Sequence, residues 1–252
     1  MSILTRSQSY KTRAINALAR VLGGCVQCGE YGVASDFSPR LCQPCSVGVK
    51  GRFGQQQRCQ TCAAPLETVD MKCLDCLIDP PLVTRTLAFS DYSHTAQHLI
   101  LNYKFHHHLS NAPLLADALS AVLRQQHIVP DIVITVPQHD SMTRARGFIP
   151  LTHVINCMDW RRLYPHVTPR IDHAASIRLH HQHLQVGASA AERHRQVRGA
   201  FAITQDLTGL HVLLIDDVYT TGATLNELAR MCLAAGAKEV SNLVIARARL
   251  VK

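Results

Sequence analysis

Aromatic residues are scarce in this chain: one Trp, six Tyr and six Phe supply 5% of its 252 residues. Core packing accounts for most of them, and only Phe105, Phe148 and Tyr219 stand beside basic loops where a base might stack. No Gly-Lys-Ser/Thr triplet occurs, which excludes a Walker A loop. No segment approaches about 18 uninterrupted apolar residues, and Met1-Ser-Ile-Leu-Thr-Arg6 lacks an apolar core, so the expectation is a cytoplasmic protein with no membrane span. Acidic residues are also few, 18 against 26 basic, for a net charge of +8. Lysine is short within that basic set, which favours guanidinium contacts to phosphate over diffuse solubility.

Cysteine is plentiful instead, with ten residues. Eight form two matched sets, Cys25, Cys28, Cys42 and Cys45, then Cys59, Cys62, Cys73 and Cys76. A Cys-x2-Cys pair lets two thiolates reach one ion from a single turn, and two such turns close a tetrahedral zinc site. In an intracellular chain this pattern argues for structural Zn2+, one ion per set, rather than disulfides. Cys157 and Cys232 have no partner nearby and read as small buried apolar residues. The histidine runs at 106–108 and 180–183 lack a framing carboxylate or cysteine and read as exposed loop residues.

Three regions follow. Ala14, Ile15, Leu18, Val21 and Leu22 fall at helical spacing between Lys11, Arg13 and Arg20, so residues 1–24 are expected to form an amphipathic helix for packing or docking. Residues 25–78 have little periodicity, as where metal replaces a core. Past Asp79-Pro80-Pro81 the pattern alternates between strands and helices to the end of the chain. Val83, Arg85, Leu87 and Phe89 alternate like a half-buried strand, and helices are expected near His94–Tyr103 and Leu114–Gln125. Asp131–Val136 and Val212–Ile215 read as buried strands, Val240–Ala246 as one more, and Pro150 as a first-turn helix residue. Residues 137–148 and 163–200 look like loops. The expected fold is α/β, a parallel sheet flanked by helices over residues 79–252, carrying a small double zinc-ribbon-like module over 25–78.

The stretch from Val212 to Thr224 runs a buried strand into Asp216-Asp217 and then into Thr220-Thr221-Gly222-Ala223-Thr224. Ligands of open α/β sheets bind at strand carboxyl ends. Small side chains before a helix let backbone N–H groups face one anion, with Gly222 permitting the tight turn. Adjacent carboxylates suit ribose hydroxyls or a metal beside them. A second loop at a strand end, 137–148, offers Arg144 and Arg146 to a pyrophosphate.

Val212–Thr224 resembles the PRPP-binding signature of type I phosphoribosyltransferases. The resemblance implies that Asp216 and Asp217 take the ribose, that Thr220, Thr221, Gly222, Ala223 and Thr224 take the 5-phosphate, and that Mg2+ accompanies PRPP. Thr220 stands where some purine-salvage members carry an acid. With the cysteine-rich start, Tyr103-Lys-Phe105, Arg146-Gly-Phe148, Gln185-x-Gly187, Glu192-Arg193 and Val197-Arg-Gly-Ala-Phe201, the chain resembles the ComF family, which includes ComFC and GntX proteins, over residues 25 to 247. Gly147-Phe-Ile-Pro150 replaces the Gly-Phe-Asn-Gln common there. That resemblance implies a cytoplasmic protein of natural competence and DNA utilisation. Three function classes stay open: a PRPP-binding protein that handles single-stranded DNA, a phosphoribosyltransferase with an unknown acceptor, and a zinc-module adaptor for competence or recombination proteins. For the first, Arg144, Arg146, Arg178, Arg193 and Arg195 are the expected nucleic-acid contacts.

Overall fold

The computed structural model describes residues 24–30, 35, 37–50, 57–66, 71–179 and 190–248. Apart from Gly24, the helix expected over 1–24 lies outside them, as do Gln185 and Gly187. Among the described residues, the cysteine-rich segment holds α1 (Gln43–Lys50) and α2 (Leu74–Ile78). There follow β1 (Arg85–Asp91), α3 (His94–Phe105), α4 (Asn111–Gln126), β2 (Ile132–Thr135), α5 (Asp140–Arg146), α6 (Pro150–Cys157) and α7 (Trp160–Leu163). The remainder is β3 (Arg170–Ile171), β4 (Ser176–Arg178), α8 (Ala190–Val197), β5 (Phe201–Ile203), β6 (His211–Tyr219), α9 (Ala223–Ala234) and β7 (Glu239–Arg247).

Five strands form one sheet in the order β1-β7-β6-β2-β3, every pair parallel. Val212, Leu213, Leu214 and Ile215 are fully buried because both faces of β6 are covered. Each such side chain contributes about 1.5–3 kcal/mol by leaving water. One face packs Leu87, Phe89, Leu213, Ile215, Leu243 and Ile245 under α3, α4 and α6. The other packs Val212, Leu214, Val240 and Val244 under α9, whose Leu225, Leu228, Ala229 and Cys232 recur at helical spacing. The helix-flanked parallel sheet is the architecture expected from the sequence.

The two cysteine sets sit on opposite faces of this sheet. Cys25 and Cys42 join the core of the α4 face, whereas Cys59, Cys62 and Cys76 join that of the α9 face. Their cover explains one departure from the sequence reading: β1 is buried on both faces rather than half-buried. A second departure is α5, inside a segment read as loop. His139 caps it by accepting from the Ser141 N–H, Asp140 occupies its first turn, and Gly147 closes it at φ 76°. A third lies in 163–200, where β3, β4 and α8 form. The β4 strand pairs antiparallel with β5 through backbone contacts that no local pattern announces.

Candidate functional site

Chain connections fix where a site forms. From β2 the sheet continues outward to β3, and from β6 it continues the other way to β7, so the switch point falls between β2 and β6. The loops leaving those two strands therefore lie side by side. One leads into α5 and Arg146, the other into 220–224 and α9.

Asp216 and Asp217 lie within the last turns of β6, which runs on to Tyr219, so the strand carries the acids rather than stopping before them. Both are partly buried. The Asp216 carboxylate accepts from the Asp217 N–H at 2.8 Å, and that of Asp217 from the Val218 N–H at 2.8 Å. Lys104, reaching in from α3, forms an ion pair with Asp217. Burial and the Asp217 charge push the Asp216 carboxyl well above its usual range, with Lys104 opposing. For Asp217 burial acts upward too, but the Lys104 ion pair and hydrogen bond prevail and lower it. Lys104 is held charged, because attraction to Asp217 overcomes the desolvation that would lower it. Burial and mutual repulsion thus oppose a second negative charge on the acid pair, while the Lys104 ammonium offsets the first.

Two arginines complete the ring of charge. Arg146 donates to Gln138 Oε1 at 2.6 Å, lies 4.9 Å over the Phe105 ring and feels the Asp217 charge. Arg178, on β4, lies 5.4 Å over the Phe201 ring and feels Asp216. Arg144 is exposed on α5, the helix that carries Arg146. Arg195 and Arg198 line a cavity of ≈ 210 Å³ with Ala223, Asn226 and Glu227, beside the first turn of α9. The Arg193 side chain lies outside the described residues.

The 220–224 loop is built around Gly222, the residue before α9, at φ 80°. A Cβ there would run into the Tyr219 ring, so only glycine fits. The Thr221 hydroxyl oxygen accepts from the Ala223 N–H at 3.3 Å. Tyr219 is buried and Phe148 packs edge-on to Tyr103, so of the three candidate stacking aromatics only Phe105 is exposed. Arg247 fastens this loop from behind. It donates to the carbonyls of Cys62 at 2.8 Å, Thr220 at 2.9 Å, Tyr219 at 3.3 Å and Ala248, and covers the Tyr219 ring at 4.6 Å. Sequence reasoning passed over Lys104 and Arg247. The signal for Lys104 was its place in Tyr103-Lys-Phe105, while Arg247 ends a strand with nothing nearby in sequence to mark it.

Both cysteine sets fit a zinc ion. Within each set the four sulfur atoms lie within 4.8 Å of one another. Cys28 and Cys42 are 3.8 Å apart and Cys62 and Cys73 3.6 Å, near the ~3.8 Å that four Zn–S bonds of about 2.3 Å require in a tetrahedron. Burial raises the Cys25 and Cys59 thiols, but backbone N–H groups, first those of Cys42 and Cys73 on the facing pair and then those of their own turns, outweigh it and bring them to about 6 and about 7. Such N–H groups stabilise the thiolates that zinc requires.

No family model matches the chain. It is similar to the DNA utilization protein YhgH of Salmonella typhimurium, 28% identical over 79% of this chain and 87% of that one. Competence protein F of Haemophilus influenzae is 25% identical over 89% and 96%, and competence protein ComFC of Bacillus subtilis 25% over 82% and 84%. These relatives bear out the ComF-type resemblance. Among solved structures, the glutamine PRPP amidotransferase of B. subtilis is 20% identical over 54% of this chain with a TM-score of 0.35. The chain spans 27% of that amidotransferase. The purine phosphoribosyltransferase of Pyrococcus horikoshii is 16% identical, over 54% of this chain and 82% of that one, with a TM-score of 0.32.

Proposed function

We propose that this protein binds PRPP with Mg2+ at Asp216–Thr224 and serves DNA utilisation by handling single-stranded DNA in the cytoplasm. The observation that carries the first half is the convergence of Lys104, Arg146 and Arg178 on the Asp216–Asp217 pair beside the Gly222 loop. In this reading the N–H groups around Gly222 and the threonine hydroxyls hold the 5-phosphate. Asp216 and Asp217 accept from the ribose hydroxyls, and the pyrophosphate, with its Mg2+, meets Arg146 and Lys104. PRPP entry must first part Lys104 from Asp217, which frees the ammonium for the diphosphate. Thr220 offers no proton-transfer group for a purine, which favours binding over transfer to a nucleobase. The names of the relatives, together with the arginines around the site, support the DNA half. A second reading, docking of a partner protein on the cysteine-rich segment, draws support from Leu74, Leu77 and Ile78, all exposed on α2.

Parallel titrations of PRPP–Mg2+ and a labelled oligodeoxythymidine test the proposal. Asp217→Asn is expected to lower PRPP affinity at least tenfold, while oligonucleotide binding holds or rises, since a charge that attracts ribose but repels phosphodiesters is gone. Arg146→Gln is expected to weaken both and to reduce the slope of DNA affinity against salt by about 0.7. An oligonucleotide that does not bind at low salt removes the DNA half.

A further inference from the structure

One cavity lies away from the acid pair. It is a cleft of ≈ 700 Å³ along the outer edge of β1, where the Thr86 N–H donates to the Gln60 carbonyl at 3.2 Å, and its volume falls within the range of about 300–1,000 Å³ typical of ligand sites. Because β1 ends the sheet, both of its faces contribute to the walls: residues 84–89 run along the cleft for about 16 Å. The turn of the second cysteine set brings Arg58 and Gln60, and the end of α4 brings Arg124, Gln125 and Gln126. With Arg85 these make three guanidinium groups and three amides; among the described lining residues there is no Asp or Glu, and Cys59 of the second four-sulfur set also lines the cleft. Arg58 is neutralised by a two-point contact with the Asp91 carboxylate, at 2.8 and 3.1 Å. Among the described lining residues, Arg85, half-buried, and Arg124, exposed, offer cations to a ligand. The carbonyls at the end of α4 would by themselves disfavour an anion, and these two arginines reverse that sign.

We propose that this edge cleft is a second phosphate-binding groove, which takes a single nucleic-acid strand by its phosphodiesters. The proposal rests on the DNA-handling reading and adds a contact away from the arginines around the PRPP site. None of Lys104, Arg146, Arg178 or residues 216–224 lines the cleft. Elongation along a strand edge suits a chain of phosphates rather than one compact anion, and the glutamine amides can bond sugar or base edges without a fixed sequence. Because β7 separates β1 from β6, DNA in the cleft and PRPP at the acids do not exclude one another.

The test uses the full zinc-loaded chain with Arg85→Gln and Arg124→Gln combined, and reads fluorescence anisotropy of labelled oligodeoxythymidine, with inorganic pyrophosphate and PRPP–Mg2+ as separate titrants. Oligonucleotide affinity is expected to fall at least tenfold and the salt slope to drop by about 1.4, two phosphate contacts' worth. PRPP–Mg2+ affinity, pyrophosphate affinity and zinc content stay at wild-type values. If the double variant binds the oligonucleotide as tightly as wild type, the arginines only guard the outer sheet edge and the groove is refuted, while DNA handling at the acid pair survives. If wild type itself binds no oligonucleotide at low salt, both fail together. A matched loss of pyrophosphate and oligonucleotide binding assigns the cleft to a small diphosphate and also overturns the proposal.

Discussion

Replacing Arg247 by methionine is expected to lower PRPP affinity at least tenfold and to cost about 2–3 kcal/mol of stability. The side chain is buried, and its guanidinium satisfies carbonyls from three places: Cys62 in the second cysteine set, Tyr219 and Thr220 at the start of the phosphate loop, and Ala248 past β7. Methionine fills similar volume but donates nothing, so buried carbonyls lose their partners and the loop loses its rear support. Arg247→Lys keeps the charge on a point donor that cannot span all of these sites, and is expected to fall between methionine and wild type. Denaturant melts and calorimetric PRPP titrations on the three proteins check this. A methionine variant that is less stable but binds PRPP normally would show that Arg247 supports the fold alone.

The same contact makes the two zinc sites unequal. Purified under reducing conditions, the protein is expected to carry two zinc ions, and Cys45→Ser and Cys76→Ser to lose one each. Structural zinc is worth about 10 kcal/mol or more to such small modules, so either loss loosens the surrounding turns. Only the second set is tied through Cys62 and Arg247 to Thr220, and only it packs on the α9 face with Ala223 and Leu225. Cys76→Ser should therefore weaken PRPP binding severalfold, whereas Cys45→Ser, whose set packs beneath the α4 face, should leave it within twofold. Metal analysis beside PRPP titration decides: equal effects from the two variants would dissolve the link, and zinc-free protein would remove the metal sites.

Local signals made part of this molecule legible. The apolar run Val212–Ile215, the acid pair and Gly222 lie next to one another in sequence, and the helix after them carries its buried stripe openly. The cysteine spacing likewise encodes two four-sulfur clusters without further context. What escaped depends on distant pairing. Lys104 meets Asp217 from a helix 113 residues earlier, and Arg178 reaches the acids only because β4 pairs with β5. The full burial of β1 could not be foreseen from alternating Val83, Arg85, Leu87 and Phe89, since the cover over Ala88 comes from cysteine turns with no hydrophobic period of their own. The helix α5 was within reach, for its His139 cap, Asp140 and closing Gly147 are sequence features that the loop reading underweighted.

The central claim, PRPP–Mg2+ bound at Asp216–Thr224, is tested most directly by calorimetric titration from about pH 5 to about pH 8 in buffers of different ionisation enthalpy. Asp216 has its folded pKa raised by burial and by the Asp217 charge, so it holds its proton further up the pH scale than an ordinary carboxyl. Ribose hydroxyls and Mg2+ call for the carboxylate, so binding on the acid side of that raised range must expel the proton. As pH rises through the range, affinity grows and proton release fades. Binding with this pH-dependent release in wild type, and its loss in Asp216→Asn, is the expected result; no binding heat at millimolar PRPP–Mg2+ at any pH, or identical titrations for the two proteins, would contradict it.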